Sequence, residues 1–137
     1  QCSVPDDDIV WAWNELLTGI PDAKKAALLA LRRSGHRLFL LSNTNFMHWN
    51  KCAADFFPYR DHEGHTYTAT HFFEKIFLSC AMHLAKPDPT IFTEALRQAG
   101  IKAEDTLFID DREDNCQAAQ SVGITALHDP EGEIWFK

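Results

Sequence analysis

Four continuous apolar runs of strand length, separated by helix-like segments, constrain the fold of this chain more than any other feature. The runs are "HRLFLLS" (36–42), "EKIFLS" (74–79), "DTLFID" (105–110) and "ITALH" (124–128). A strand with one wet face alternates polar and apolar residues. A continuous run is the mark of a strand covered on both faces, as in a parallel sheet. The intervening segments carry helix signals. In "DPTIFTEALRQAG", Asp88 is placed to cap, Pro89 suits the first helical position and Gly100 ends the run. A second helix is predicted over about 22–34, stopped by Gly35. A third falls over 43–57, where Phe46, Trp49, Ala53 and Phe56 recur near a 3.6 period, and a fourth over 112–123, ending at Gly123. The polar stretch "PYRDHEGHTYTATHFF" reads as a surface loop. Strands alternating with helices predict an α/β fold with a three-layer, Rossmann-like core and a mainly parallel sheet.

At 137 residues the chain has the length of one domain with a real core. With 13 basic and 20 acidic residues its formal charge is -7, which argues against a general nucleic-acid or anionic-membrane binder. Cys2, Cys52, Cys80 and Cys116 are scattered with no C-x-x-C pair, so neither a zinc site nor a redox motif is signalled, and a reducing cytoplasm is the expected location. No apolar run reaches membrane-spanning length.

In open α/β sheets, ligands bind at the carboxyl ends of the strands. Ser42 and Asn43 follow the first run, Lys86 stands shortly after the second in "AKPDP", and Asp110 and Asp111 close the third. Each has a use with phosphate. A hydroxyl and the backbone N–H groups at a helix start hold phosphate oxygens. An ammonium neutralises charge that builds in a transition state. Paired carboxylates suit Mg²⁺, a hard cation that takes oxygen ligands. Taken singly, these residues have plainer uses. Ser42 or Asn43 can cap the next helix, Lys86 can be a solvated lysine, and either aspartate can cap the helix after it. The joint order is what raises the chemical reading.

That order, "LFLLSNTN", then "AKPDPTIF", then "LFIDDREDN", resembles the second, third and fourth motifs of the haloacid dehalogenase superfamily, most of whose members are Mg²⁺-dependent phosphatases. The resemblance runs from about Pro21 to His128. It is strongest to the branch with small sugar-phosphate phosphatases and the N-terminal phosphatase domain of soluble epoxide hydrolase. It implies that Ser42 and the amide of Asn43 bind the transferring phosphoryl group, and that Lys86 screens the nucleophile and the phosphoryl oxygens. It further implies that Asp111 is the direct metal ligand with Asp110 assisting, and that Asn115 is a supporting residue. The implied activity is hydrolysis of a small phosphate monoester, possibly a sugar phosphate, through an aspartyl-phosphate. A metal-free dehalogenase of the same superfamily carries neutral residues where Asp110 and Asp111 stand. A phospho-accepting receiver domain places its acidic pair after the first strand and its lysine after the last, the reverse of the order here. A non-catalytic remnant is the remaining alternative.

The family's first motif, Asp-x-Asp after a central strand, has no counterpart in "PDDDIVWAW", which reads as the acidic start of a helix. "HDPEG" follows a strand but comes after every other motif. A sheet without its central strand would leave two rows of buried backbone groups unpaired, each costing on the order of 1–3 kcal/mol. The expectation is therefore that residues 1–20 are the end of a helical cap and a linker, and that 21–137 form the core. The first strand and the nucleophile would then come from a missing N-terminal segment or a second chain. Of the remaining residues, His62, His65 and His71 belong to the polar loop, and Trp11 and Trp13 are expected to pack. A specificity residue is expected within Asn45 to Trp49, a stretch that includes Phe46 and Met47.

Overall fold

The structure is a computed structural model and describes residues 8–12, 22–55 and 57–129. Its centre is a five-stranded parallel sheet. The strands are β1 (Asp8–Ala12), β2 (Arg37–Ser42), β5 (Lys75–Leu78), β6 (Thr106–Asp110) and β7 (Thr125–His128), in the order β5-β2-β1-β6-β7. The helices are α1 (Asp22–Arg33), α2 (Phe46–Asp55), α3 (Ala69–Phe72), α4 (Ser79–Met82), α5 (Pro89–Ala99) and α6 (Glu113–Ser121). Successive strand residues point to opposite faces, and here both faces are dry. Ile9, Leu38, Leu40 and Ile109 meet Leu28 and Leu29 of α1 together with Phe57, Phe72 and Phe73. Val10, Phe39, Leu41 and Phe108 meet Ile91, Phe92 and Ala95 of α5 and Ala119 of α6. Burial on both faces is why these strands read as unbroken apolar runs, and it makes the three layers expected from the sequence.

The central strand is the correction. Asp8–Ala12 fills the place predicted to be empty, pairing in parallel with β2 from Asp8↔Arg37 to Ala12↔Leu41 and with β6 from Asp8↔Thr106 to Trp11↔Ile109. The division into a helical cap end over 1–20 and a core from 21 therefore fails at residues 8–12, which are core; the rest of that segment lies outside the described residues. The physical reason is the one that argued against a gap. Unpaired backbone between β2 and β6 is costly, and Ile9 and Val10 are β-branched residues buried on the two faces of the strand. The acids ahead of them suit a helix start by sequence alone, but pairing with both neighbours makes 8–12 a strand.

The polar stretch after Phe57 is more ordered than a surface loop. Tyr59–Arg60 (β3) and Thr66–Tyr67 (β4) form a small antiparallel hairpin, with Tyr59 and Tyr67 rings stacked 6.2 Å apart. The Asp61 side chain ties the turn by accepting from the N–H groups of Glu63 and His65, and Gly64 takes φ 88°, which an L side chain rarely adopts. By contrast, α5 follows its sequence signals closely: Asp88 Oδ1 accepts from the Thr90 N–H at 3.0 Å, and Gly100 takes the left-handed position at φ 70°. Among the described residues no helix is long and apolar enough to cross a membrane.

Candidate active site at the carboxyl edge of the sheet

Parallel strands deliver their last residues to one edge. Ser42 ends β2, Asp110 ends β6, and the loop after α4 carries Lys86 back across that edge. The Lys86 ammonium donates to the Leu41 carbonyl, next to Ser42, at 3.3 Å, and to Asp110 Oδ2 at 3.2 Å. It thus bridges the ends of β2 and β6 over the end of β1. Its peptide bond to Pro87 is cis.

The ion pair is dry: neither side chain exposes any surface. Asn115, on the first turns of α6, donates its amide to the same Asp110 Oδ2 at 2.9 Å, and the Arg112 N–H donates to Oδ1 at 3.0 Å. Burial pushes the Lys86 ammonium below its ordinary value, against the pull of Asp110 and, more weakly, of Asp111. Burial likewise raises Asp110; Lys86 opposes that shift and the adjacent Asp111 carboxylate adds to it. Two acids side by side and half out of water repel one another, and a cation between them would relieve the repulsion. Asp111 is exposed, as an acid reaching for a solvated ion would be, and its backbone carbonyl lies 3.2 Å from His128 Nε2 at the end of β7.

Ser42, Lys86, Asp110 and Asn115 are buried together at this edge, and Asn43 and Asp111 are exposed beside them. The Asn43 side chain has a use that the sequence did not suggest. Its Nδ2 donates to the Lys86 carbonyl at 3.1 Å, and its Oδ1 accepts from the Lys86 N–H at 3.0 Å. Ser79, at the end of β5, was also missed, although a hydroxyl at a strand end was the signal that selected Ser42. Asp129 is a buried carboxylate just past β7, and its N–H donates to the Asp110 carbonyl at 2.8 Å. Phe46 and Met47, in the first turn of α2, are 56% and 83% exposed, so they do not pack as core residues. Trp49 does pack, with its ring 5.6 Å from Phe57. Trp13 lies outside the described residues. In the β3–β4 hairpin, ligand atoms of Asp61, Glu63 and His65 lie within 4.8 Å of one another, but the Asp61 carboxylate already holds the turn. His62 and His71 are exposed, and His71 Nδ1 accepts from the Thr68 N–H at the start of α3.

A protein-family model described as haloacid dehalogenase-like hydrolase matches residues 5–123. The chain belongs to the haloacid dehalogenase-like hydrolases. The matched span takes in β1 as well as the three strand-end groups. Among curated relatives, a sesquiterpene phosphatase of Aspergillus oryzae is 30% identical over 93% of this chain and 61% of its own length. A D-ribitol-5-phosphate phosphatase of Bacteroides thetaiotaomicron is 29% identical over 90% of this chain and 57% of its own. The chain therefore spans about three-fifths of the length of these two curated relatives. A solved haloacid dehalogenase family enzyme of Bacteroides thetaiotaomicron, in complex with magnesium and inorganic phosphate, superposes with a TM-score of 0.78 and 42% identity. That match covers 86% of this chain and 57% of the other.

Proposed function

We propose that this chain is the larger part of a Mg²⁺-dependent phosphatase that hydrolyses a small phosphate monoester through an aspartyl-phosphate whose aspartate lies outside the chain. The observation that carries the reading is the buried Lys86–Asp110 contact, which joins the ends of β2 and β6 beside Ser42. Phosphoryl transfer is mostly positioning and charge stabilisation, and these groups supply both.

The Ser42 hydroxyl and the Asn43 N–H hold equatorial oxygens of the phosphoryl group. The Lys86 ammonium sits where charge accumulates on those oxygens and on the attacking carboxylate. Asp111, exposed at the edge, and Asp110 behind it are the residues that would hold the Mg²⁺. Their hard oxygens match its chemistry, and the bound ion would supply charge neutralisation to the phosphoryl oxygens. Asn115 and the Arg112 N–H orient Asp110 and favour its carboxylate form against the opposing effect of burial. The ester P–O bond breaks as a P–O bond to the outside carboxylate forms, and water then cleaves the acyl phosphate. The solved relative with magnesium and phosphate supports the metal and ligand class. The sequence just past β1 reads Trp13-Asn14-Glu15, without the Asp-x-Asp that this chemistry needs. This is the observation that favours the second reading, a non-catalytic remnant.

The substrate's organic part would extend over the first turn of α2, where Phe46 and Met47 are exposed. The two curated relatives are named for very different organic groups, a terpenoid and a polyol. We also place the protein in the cytoplasm, in keeping with Cys80 and Cys116 being free thiols. The test is hydrolysis of an aryl phosphate by the chain alone and by the chain joined to its upstream segment, each with Mg²⁺ and with chelator. The longer form should turn over only with Mg²⁺, and Lys86→Ala or Asp111→Ala should abolish most of that activity. An inactive longer form would leave the remnant reading standing.

A further inference from the structure

We propose that the Ser79 hydroxyl and the Asn43 side chain are positioning residues that lock the β2 end and the Lys86 loop into one frame, fixing the separation between the Ser42 hydroxyl and the Lys86 ammonium before any ligand arrives; the inference rests on the phosphatase reading. It starts from the ladder. β2 and β5 are neighbours whose last paired residues are Ser42 and Leu78. One residue later both chains leave the sheet, and the backbone groups there lose their ladder partners. On the β2 side the Ser79 hydroxyl serves both backbone groups of Thr44. It accepts from the Thr44 N–H at 2.9 Å and donates to the Thr44 carbonyl at 3.0 Å. Both backbone polar groups of Thr44 are thereby directed at Ser79 beside β5. The Ser79 hydroxyl thereby takes the Thr44 amide out of the set that could meet an anion at this edge.

The second fastening is reciprocal as well. The Asn43 amide gives to the Lys86 carbonyl and takes from the Lys86 N–H. It acts as a short piece of antiparallel backbone would, across a sequence separation of 43 residues. Four hydrogen bonds therefore connect Asn43 and Thr44 to residues 79 and 86. The Lys86 ammonium closes the circuit on the Leu41 carbonyl. A frame of this kind removes the ordering cost that two independent loops would incur on closing around an anion.

The test uses the full-length protein with Mg²⁺, aryl phosphate as substrate and inorganic phosphate as competing ligand. Removal of a fastening hydrogen bond that leaves Thr44 unpaired should weaken inhibition by phosphate about tenfold and lower kcat/KM by at least about as much, near 1.4 kcal/mol. Ser79→Ala should show both losses, whereas Ser79→Thr, which keeps the hydroxyl, should stay within about threefold of the parent. Asn43→Ala should show the same pair of losses, and it carries the test should Ser79→Ala not fold. Phosphate inhibition unchanged in folded Ser79→Ala or Asn43→Ala, or a Thr variant as impaired as the Ala variant, would overturn the inference. A parent protein that neither turns over the ester nor is inhibited by phosphate would sink the phosphatase reading itself.

Discussion

Replacing Lys86 by Met and Asp110 by Asn, singly and together, probes the feature on which the site depends. The two charges are 3.2 Å apart with no exposed surface. At an effective dielectric of about 20, Coulomb's law gives an attraction of about 5 kcal/mol. Desolvation offsets much of that, so the pair as a whole adds little to stability. Each charge alone, however, is stranded once its partner is removed, at about 3–5 kcal/mol. Lys86→Met takes the ammonium from a buried carboxylate that keeps the neutral Asn115 amide and Arg112 N–H as donors. Asp110→Asn faces a buried ammonium with an amide that must also accept from Asn115. The double variant buries no charge and should lose no more than either single one. The coupling energy should therefore be about 3 kcal/mol or more. Urea unfolding of the four proteins reads it directly, because each single loss shifts the midpoint by on the order of 1–3 M at ordinary m-values. Single losses that simply add in the double variant, or that stay below about 1 kcal/mol, would show that the pair is not a dry contact, and the placement of Lys86 over the end of β1 would be wrong.

Other consequences follow from particular residues. Val10→Asp puts a charge into the middle of the sheet, where Val10 is 5% exposed, and should abolish cooperative unfolding by circular dichroism. If residues 8–12 lay in a peripheral segment, that variant would keep its transition. His83 ends α4 at φ 57°, ψ 31°, and Gly there should stabilise the fold by about 0.5–1 kcal/mol, the left-handed penalty less the extra freedom of an unfolded glycine, read from the melting temperature. Glu74 is held below its ordinary 4.5 chiefly by the Arg37 guanidinium, which it meets in a two-pronged pair. A depressed carboxyl stabilises above its unfolded value, and the gain disappears as pH falls through the folded one. Glu74→Gln should therefore cost under about 1 kcal/mol near neutrality, since the pair is part exposed, and nothing in acid well below pH 4.5; an equal cost at both pH values would refute the assignment. Phe108→Ala removes a fully buried ring packed edge-on against Phe92 at 4.9 Å and should cost about 3–5 kcal/mol in the same assay.

What the sequence made legible divides along a physical line. Signals that act within a few residues were reliable at α5, where Asp88, Pro89 and Gly100 each do the local work their chemistry suits. The doubly buried strands were legible because burial on both faces leaves a continuous apolar run, and the strand-end rule then gathered Ser42, Lys86 and Asp110 without any knowledge of distance. The hairpin at 59–67 was not legible, because polar residues close it through an Asp61 side chain that mimics backbone. The central strand was misassigned for a different reason. "DIVWAWNELL" satisfies a helical period and an acidic helix start about as well as it satisfies a strand, and the choice between them was made by residues 37–41 and 106–109, whose free ladders needed a partner.

The candidate site repeats that division at finer scale. Ser42, Lys86 and Asp110 are given by where strands end, which is a property of topology and can be read in order along the chain. What holds them at working distances is given by Asn43 and Ser79, whose partners lie 43 and 35 residues away. Neither spacing has a period that a sequence pattern could expose. Both side chains stand in for backbone at points where the ladder stops, and a chain's own unpaired amides are the places where such a substitution becomes necessary. The chemistry-bearing groups of this edge are thus written one strand at a time, while their mutual geometry is set by the side chains that finish the hydrogen bonding of the sheet.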